Sequence, residues 1–335
     1  MDLQSYLPAR SQHGLITHQQ ALAAGLLARD VAALLASGEW VRLRRGVYAD
    51  GEAYAAAEPF REAPMLRMRA VVLAVGAEPV FTHDSAAIVH RLGVPDARTS
   101  PPHIARVDHR ATRTSGGIMT HGAPVGREHV MRVDGFLVTH PARTALDMAR
   151  LHGVWPGMAA CDAALRHGVT RADLERAAEL MRGWPHKRRI DRAIELADPG
   201  AESYLESLAR GLVIELGVGT PQTQFGITDG NREAWCDLRV GRHLFEADGL
   251  LKYDEDPQGA LREEKARRPP RQSYAVIREA PSLNPDRKSC RAFSSRRAPC
   301  GSSSYFSRPS ASNRWRQTRR SHQASRLPSV IPNWV

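Results

Sequence analysis

The sequence predicts a multidomain α+β protein that ends in a basic tail. Three observations carry this. The chain has 335 residues with 42% hydrophobic side chains, enough for two or three domains with real cores. Its periodicity switches from helical to alternating within the first fifty residues. Near residue 200 a helical stretch gives way to strand-like runs that carry carboxylates. No run approaches eighteen consecutive apolar residues, and the start MDLQSYLPAR lacks the basic-then-apolar order of a secretory signal. A cytoplasmic chain with no membrane partner is expected. Cys161, Cys236, Cys290 and Cys300 are scattered, with no CxxC and no zinc-like pairing with histidine, and read as isolated reduced thiols.

The opening elements follow in order. Thr17 and Gln20 have capping-box spacing, so a helix over 19–24 is expected to end at Gly25; a second over 28–36 buries Val31, Leu34 and Leu35 before Gly38. Residues 39–43 alternate apolar and polar, Arg44-Arg45-Gly46 turns the chain, and Val47-Tyr48-Ala49 returns as a partner strand. Helix, turn, helix and basic hairpin is the order of a winged helix-turn-helix. In that fold the second helix enters the major groove, while Arg29 at its start and Arg42, Arg44 and Arg45 on the wing approach phosphates. The pattern alone leaves a structural helical hairpin and a protein-binding winged helix open as well. The run HGLITHQQALAAGL…GEWVRLRRGVYA, His13 to Ala49, resembles the N-terminal winged helix of AbiEi-type antitoxins of the type IV toxin–antitoxin class. The resemblance implies a transcriptional autorepressor that reads double-stranded operator DNA, as a homodimer on a palindromic site. It also implies a cognate nucleotidyltransferase-like toxin, countered without necessarily being bound. This first domain is placed at 1–55.

A middle α+β or mainly helical module is placed at 60–198. Helices are expected over 65–75, 85–92, 142–151, 156–166, 171–181 and 189–197, with short strands such as 103–107 and 136–138. Its segments VFTHDSAAIVHRLGVP and DGFLVTHPARTALDMARLHG resemble the middle region of longer AbiEi-like regulators, and Pro141 suits a first helical turn. His83, His90, His140, Asp84 and Asp147 invite a metal or acid–base reading, but no ligand set is defined, and isolated histidines are more often structural. Residues 185–189 read as a solvated basic loop between helices.

Residues 200–267 hold the most specific chemical pattern. A helix over 201–216 carries Glu202, and strand-like runs follow at 223–227, 234–240 and 243–247, the last two joined through Gly241. Asp237 lies in one strand, and Glu246 and Asp248 close the next. Two carboxylates on adjacent strands suit a hard cation with oxygen ligands and retained waters. The order resembles the PD-(D/E)XK, restriction-endonuclease-like α/β fold, in the branch related to very-short-patch repair. The resemblance rests on CDLRVGRHLFEADGLLKY, Cys236 to Tyr253, and the following LREEKARR. It implies Asp237 and Glu246 as Mg²⁺ ligands, Glu202 as an upstream carboxylate, and Glu264-Lys265 as a pair on the next helix. Asp248 stands where the family expects lysine, so Lys252 must substitute for it or DNA endonuclease activity is lost. The core is also expected to be truncated, because the final strand and helix are replaced by the tail.

The global charge of +11 belongs to that tail. Residues 268–335 hold thirteen arginines and one lysine against Glu279 and Asp286, a net +12, with fourteen serines and eight prolines; the first 267 residues are net −1. Two readings stand: a disordered basic tail that contacts nucleic acid, and an out-of-frame C-terminus of a GC-rich gene.

Overall fold

A computed structural model describes residues 12–76, 78–106, 111–122, 124–228 and 233–247. The tail, Asp248, Lys252 and Glu264-Lys265 lie outside the described residues. The described chain mixes helix and sheet throughout.

It begins with strand β1 (Leu15–Thr17), helices α1 (His18–Ala23) and α2 (Ala28–Ser37), and strands β2 (Trp40–Arg44) and β3 (Val47–Asp50). The Thr17 hydroxyl accepts from Gln20 N and the Gln20 side chain accepts from Thr17 N, closing the expected capping box. Gly38 ends α2 at φ +80°, a left-handed conformation that suits glycine. The strands form an antiparallel sheet in the order β1-β3-β2. Alternation divides its faces. Ile16, Trp40 and Tyr48 pack against α1 and α2 around Ala21 and Val31, whereas Leu15, Val47 and Ala49 point the other way, onto Ala70 and its neighbours.

Ala70 belongs to α4 (Glu62–Val75), reached after the short helix α3 (Gly51–Ala56). Helix α4 has two apolar faces. Leu66, Ala70 and Leu73 meet the first sheet, and Met65, Met68 and Val72 meet the core of a second; each set follows helical spacing.

The second sheet has six strands: β4 (Val80–Phe81), β5 (His103–Arg106), β6 (Arg113–Ser115), β7 (Ile118–Gly122), β8 (Val130–Val133) and β9 (Phe136–Thr139). Their order is β6-β7-β5-β4-β9-β8; β4 and β9, and β5 and β7, run parallel, and the other neighbours antiparallel. Its core joins Phe81, Ile104, Ile118, Phe136 and Val138 to α4 and to α5 (His83–His90).

A helical layer follows: α6 (Pro141–His152), α7 (Val154–Arg166), α8 (Arg171–Leu180) and α9 (Lys187–Leu196). Pro141 occupies the first turn of α6, where its missing N–H breaks no bond. Lys187, Arg188 and Arg189, read from sequence as a loop, lie in α9. Lys187 pairs with Asp191 one turn on, and Arg189 Nη1 donates to Arg150 O at 3.1 Å, so this basic run is partly bound to the protein. The layer is alanine-rich, which allows close helix approach. A Cβ on Gly157 of α7 would lie 2.3 Å from Ala149 Cβ and 2.4 Å from its Cα on α6.

The last described elements are α10 (Tyr204–Leu216) and an antiparallel meander of β10 (Pro221–Thr228), β11 (Glu233–Val240) and β12 (His243–Phe245). Arg210 of α10 anchors this part to α7 through two bonds to the buried Asp162 carboxylate, at 3.0 and 2.8 Å.

Gly157→Ala gains about 1 kcal/mol of helix propensity, but its methyl must displace backbone on α6, an overpacking cost of about 1–3 kcal/mol or more. A net loss of stability is expected by urea unfolding. Arg210→Met leaves Asp162 buried without its partner and is expected to cost about 3–5 kcal/mol in the same measurement.

Candidate functional site

Two places in the described residues gather candidate functional side chains, and they differ in character. One is exposed and basic. On α2, Ala28, Arg29, Ala32, Ala33 and Ala36 face solvent, so the helix shows an open surface of small side chains with a guanidinium at its start. Arg29 is 81% exposed, 3.7 Å from Asp30. On the hairpin, Arg42 and Arg45 are exposed. Arg44 differs: it is half-buried and its Nη1 donates to Gly116 O, in the β6–β7 turn, at 3.0 Å. It ties the hairpin to the six-stranded sheet.

The other place is buried. Parallel pairing of β5 with β7 matches His103 to Met119 and Ala105 to His121, so His103 and His121 are diagonal neighbours on one sheet face. Their rings meet edge to edge, His121 Nε2 lying 3.1 Å from His103 Nδ1. His83, the first residue of α5, stacks on His121 with centroids 3.6 Å apart and planes 12° apart. Its φ of +47° is a left-handed conformation that a non-glycine residue adopts at a cost. All three rings are almost wholly buried.

Oxygen atoms surround the group. Thr82 Oγ1 lies 3.2 Å from His83 Nδ1 and donates to Asp147 Oδ2 at 3.4 Å. Ser100 Oγ lies 3.3 Å from His103 Nε2 and donates to Asp84 Oδ2 at 2.6 Å; Thr112 Oγ1 lies 3.4 Å from His121 Nδ1. Asp84 also meets His152 Nε2 at 2.6 Å, and Asp147 receives Arg143 Nε at 2.9 Å and Arg150 Nη1 at 3.1 Å. Burial pushes the His83, His103 and His121 imidazoles below their ordinary range, His121 down to about 2; neighbouring positive charges add to it at His83 and His121, while the Asp84 carboxylate opposes it at His103. Burial alone would raise the Asp84 carboxyl, but the hydrogen bond from His152, the charges of His103 and His152 and the Ser100 hydroxyl bring it down to about 2.

The sequence offers His83, Asp84 and Asp147 at this centre, but also His90 and His140, which go elsewhere. His90 Nε2 bonds Thr139 O at 2.8 Å, and His140 Nδ1 caps α6 by accepting from Ala142 N at 3.4 Å. The expectation that no ligand set is defined is corrected: His83, His103 and His121 bring one ligand atom each within 4.8 Å of one another. His103 and His121 escape a sequence reading because they lie twenty residues or more from His83 and come together only through strand pairing.

The carboxylates of the C-terminal meander are placed differently. Asp237 lies in β11 as expected, and its Oδ2 accepts from Ala247 N at 2.7 Å. Leu238 pairs with Phe245, the last residue of β12, and Glu246 follows the strand, exposed. Glu202 is not on a helix. α10 starts at Tyr204, because Ser203 caps it by accepting from Glu206 N at 3.1 Å; Glu202 precedes the cap, exposed. Among the described residues these acids form no metal-holding group of three.

Residues 8–49 match a family model described as transcriptional regulator, AbiEi antitoxin. Two proteins of Mycobacterium tuberculosis are also similar, the uncharacterized protein MT2308 of strain CDC 1551 / Oshkosh and the uncharacterized protein Rv2248 of strain ATCC 25618 / H37Rv. Each is 37% identical over 138 residues, which covers 38% of this chain and 49% of the relative. The chain thus spans about half the length of the curated relatives it matches. The family match and the exposed basic surface coincide in the chain: α1, α2 and the hairpin up to Ala49 lie within 8–49.

Asp84→Asn removes the carboxylate that His152 and Ser100 share. A loss of about 1–3 kcal/mol is expected in chemical unfolding, with the far-ultraviolet circular dichroism unchanged at neutral pH.

Proposed function

We propose that the protein is a DNA-binding transcriptional regulator of the type IV antitoxin class, whose N-terminal segment is a winged helix. The observation that carries this reading is the solvent-facing surface of α2 beside Arg42 and Arg45, within the segment that matches the regulator family. Helix α2 fits the major groove, where Arg29 reaches a base edge or a phosphate and the hairpin arginines reach the flanking phosphates. Arg44 holds the wing in place through Gly116 O and so contributes to orientation. As an autorepressor it would act as a homodimer on a palindromic operator, opposite a nucleotidyltransferase-like toxin. An electrophoretic shift on the gene's own upstream DNA tests this. Arg42→Ala with Arg45→Ala is expected to weaken binding about tenfold and to lower the slope of log K against log salt by about 2. Unchanged binding would reject the wing assignment.

A second reading rests on Asp237 in β11 and Glu246 just after β12, the next strand of the meander. A pair of carboxylates fits the oxygen-ligand chemistry of Mg²⁺, which would supply Lewis acidity at a DNA phosphate. Asp237 is then held in orientation by Ala247 N. On this reading Mg²⁺-dependent nicking disappears in Asp237→Ala and Glu246→Ala; nicking that persists in both rejects it.

A further inference from the structure

We propose that His83, His103 and His121 form a binding site for a divalent transition metal of zinc type, at the junction of the six-stranded sheet and the helical layer. Nitrogen is the ligand such ions prefer, and three imidazoles are the protein ligand set of an open tetrahedral site. One ligand atom of each ring already lies within 4.8 Å of the other two, and His103 Nδ1 and His121 Nε2 are 3.1 Å apart. Metal–nitrogen distances of about 2.0–2.1 Å in a tetrahedron separate the nitrogens by about 3.4 Å. Binding therefore asks His83 to leave its stack on His121 and turn a ring nitrogen toward the other two.

The surroundings support the same reading. Metal-binding imidazoles usually turn their second nitrogen to an oxygen that fixes the ring. His103 Nε2 faces Ser100 Oγ, with Asp84 behind it, and His121 Nδ1 faces Thr112 Oγ1; His83 Nδ1 faces Thr82 Oγ1, which leads to Asp147. Burial favours the neutral, ligand-competent form of each ring. Thr112 is exposed, so solvent reaches within one side chain of His121. The left-handed backbone of His83 is a further sign, since strain of this kind persists where a side chain must be held in one place.

The untagged full chain, freed of metal by a chelator, is titrated with Zn²⁺ by calorimetry. One equivalent per chain is expected, with a rise in melting temperature of roughly 5 °C at saturation. His103→Asn and His121→Gln are expected to weaken binding more than about 100-fold, and His90→Gln to leave it unchanged. No binding by the wild type, or equal binding by the His103 and His121 variants, overturns the proposal. Because a buried variant can fail to fold, the wild-type histidine ring ¹⁵N resonances are followed during the same titration. Joint shifts of three rings at one equivalent support the site; ring signals that stay in place reject it.

Discussion

Helix α4 has to satisfy two cores at once, and the rest of the architecture depends on it. Its Leu66, Ala70 and Leu73 close the three-stranded sheet, and Met65, Met68 and Val72 close the six-stranded one. A helix apolar on two sides cannot leave either sheet without exposing a face to water, a loss of about 1.5–3 kcal/mol for each large side chain uncovered. The hairpin therefore sits on the middle sheet through α4, and the bond from Arg44 to Gly116 O reinforces that seat at the tip. The surface we assign to DNA and the centre we assign to metal are thus held by one piece of secondary structure.

The histidine centre shows what such a seat permits. Neutral imidazoles, two carboxylates and two guanidiniums are buried or nearly so where the sheet meets α6. A buried polar group is tolerable only when partnered, and nearly every hydrogen-bonding atom named there has a partner. Arg143 Nη2 is the exception; the guanidinium instead lies over the Trp184 ring, 4.7 Å from its centroid, an interaction that offsets part of the missing bond.

Local signals in the sequence reached far. The Thr17–Gln20 capping box, Gly38 after α2, Pro141 at the head of α6 and the turn at Gly241 each name an element end, and each does so through a bond or a dihedral set within a few residues. Pairings across long stretches of chain were not legible. β1 has three residues and exists because Leu15 meets Ala49. β4 has two, held between β5 and β9, and β6, β7 and β8 are as dependent on neighbours. For the same reason the basic surface could be named in advance, since Arg29, Arg42 and Arg45 lie within one short segment. The histidine cluster could not, because β5 and β7 must be laid side by side before His103 and His121 meet. Glu202 was placed on a helix that starts three residues later than expected, at Tyr204, because Ser203 caps it.

The alanines on the outer side of α2 carry a consequence for reading sequence. Long polar side chains reach base edges from a distance, while Ala28, Ala32, Ala33 and Ala36 bring only methyl groups. In the proposed DNA complex such a helix would sit deep in its groove, and the contacts open to its alanines would be the methyls of thymine. Preference would then come from the pattern of thymines and from how readily the groove takes the helix. A code written mostly in methyl groups would be tolerant of single changes and sensitive to the shape of the whole site.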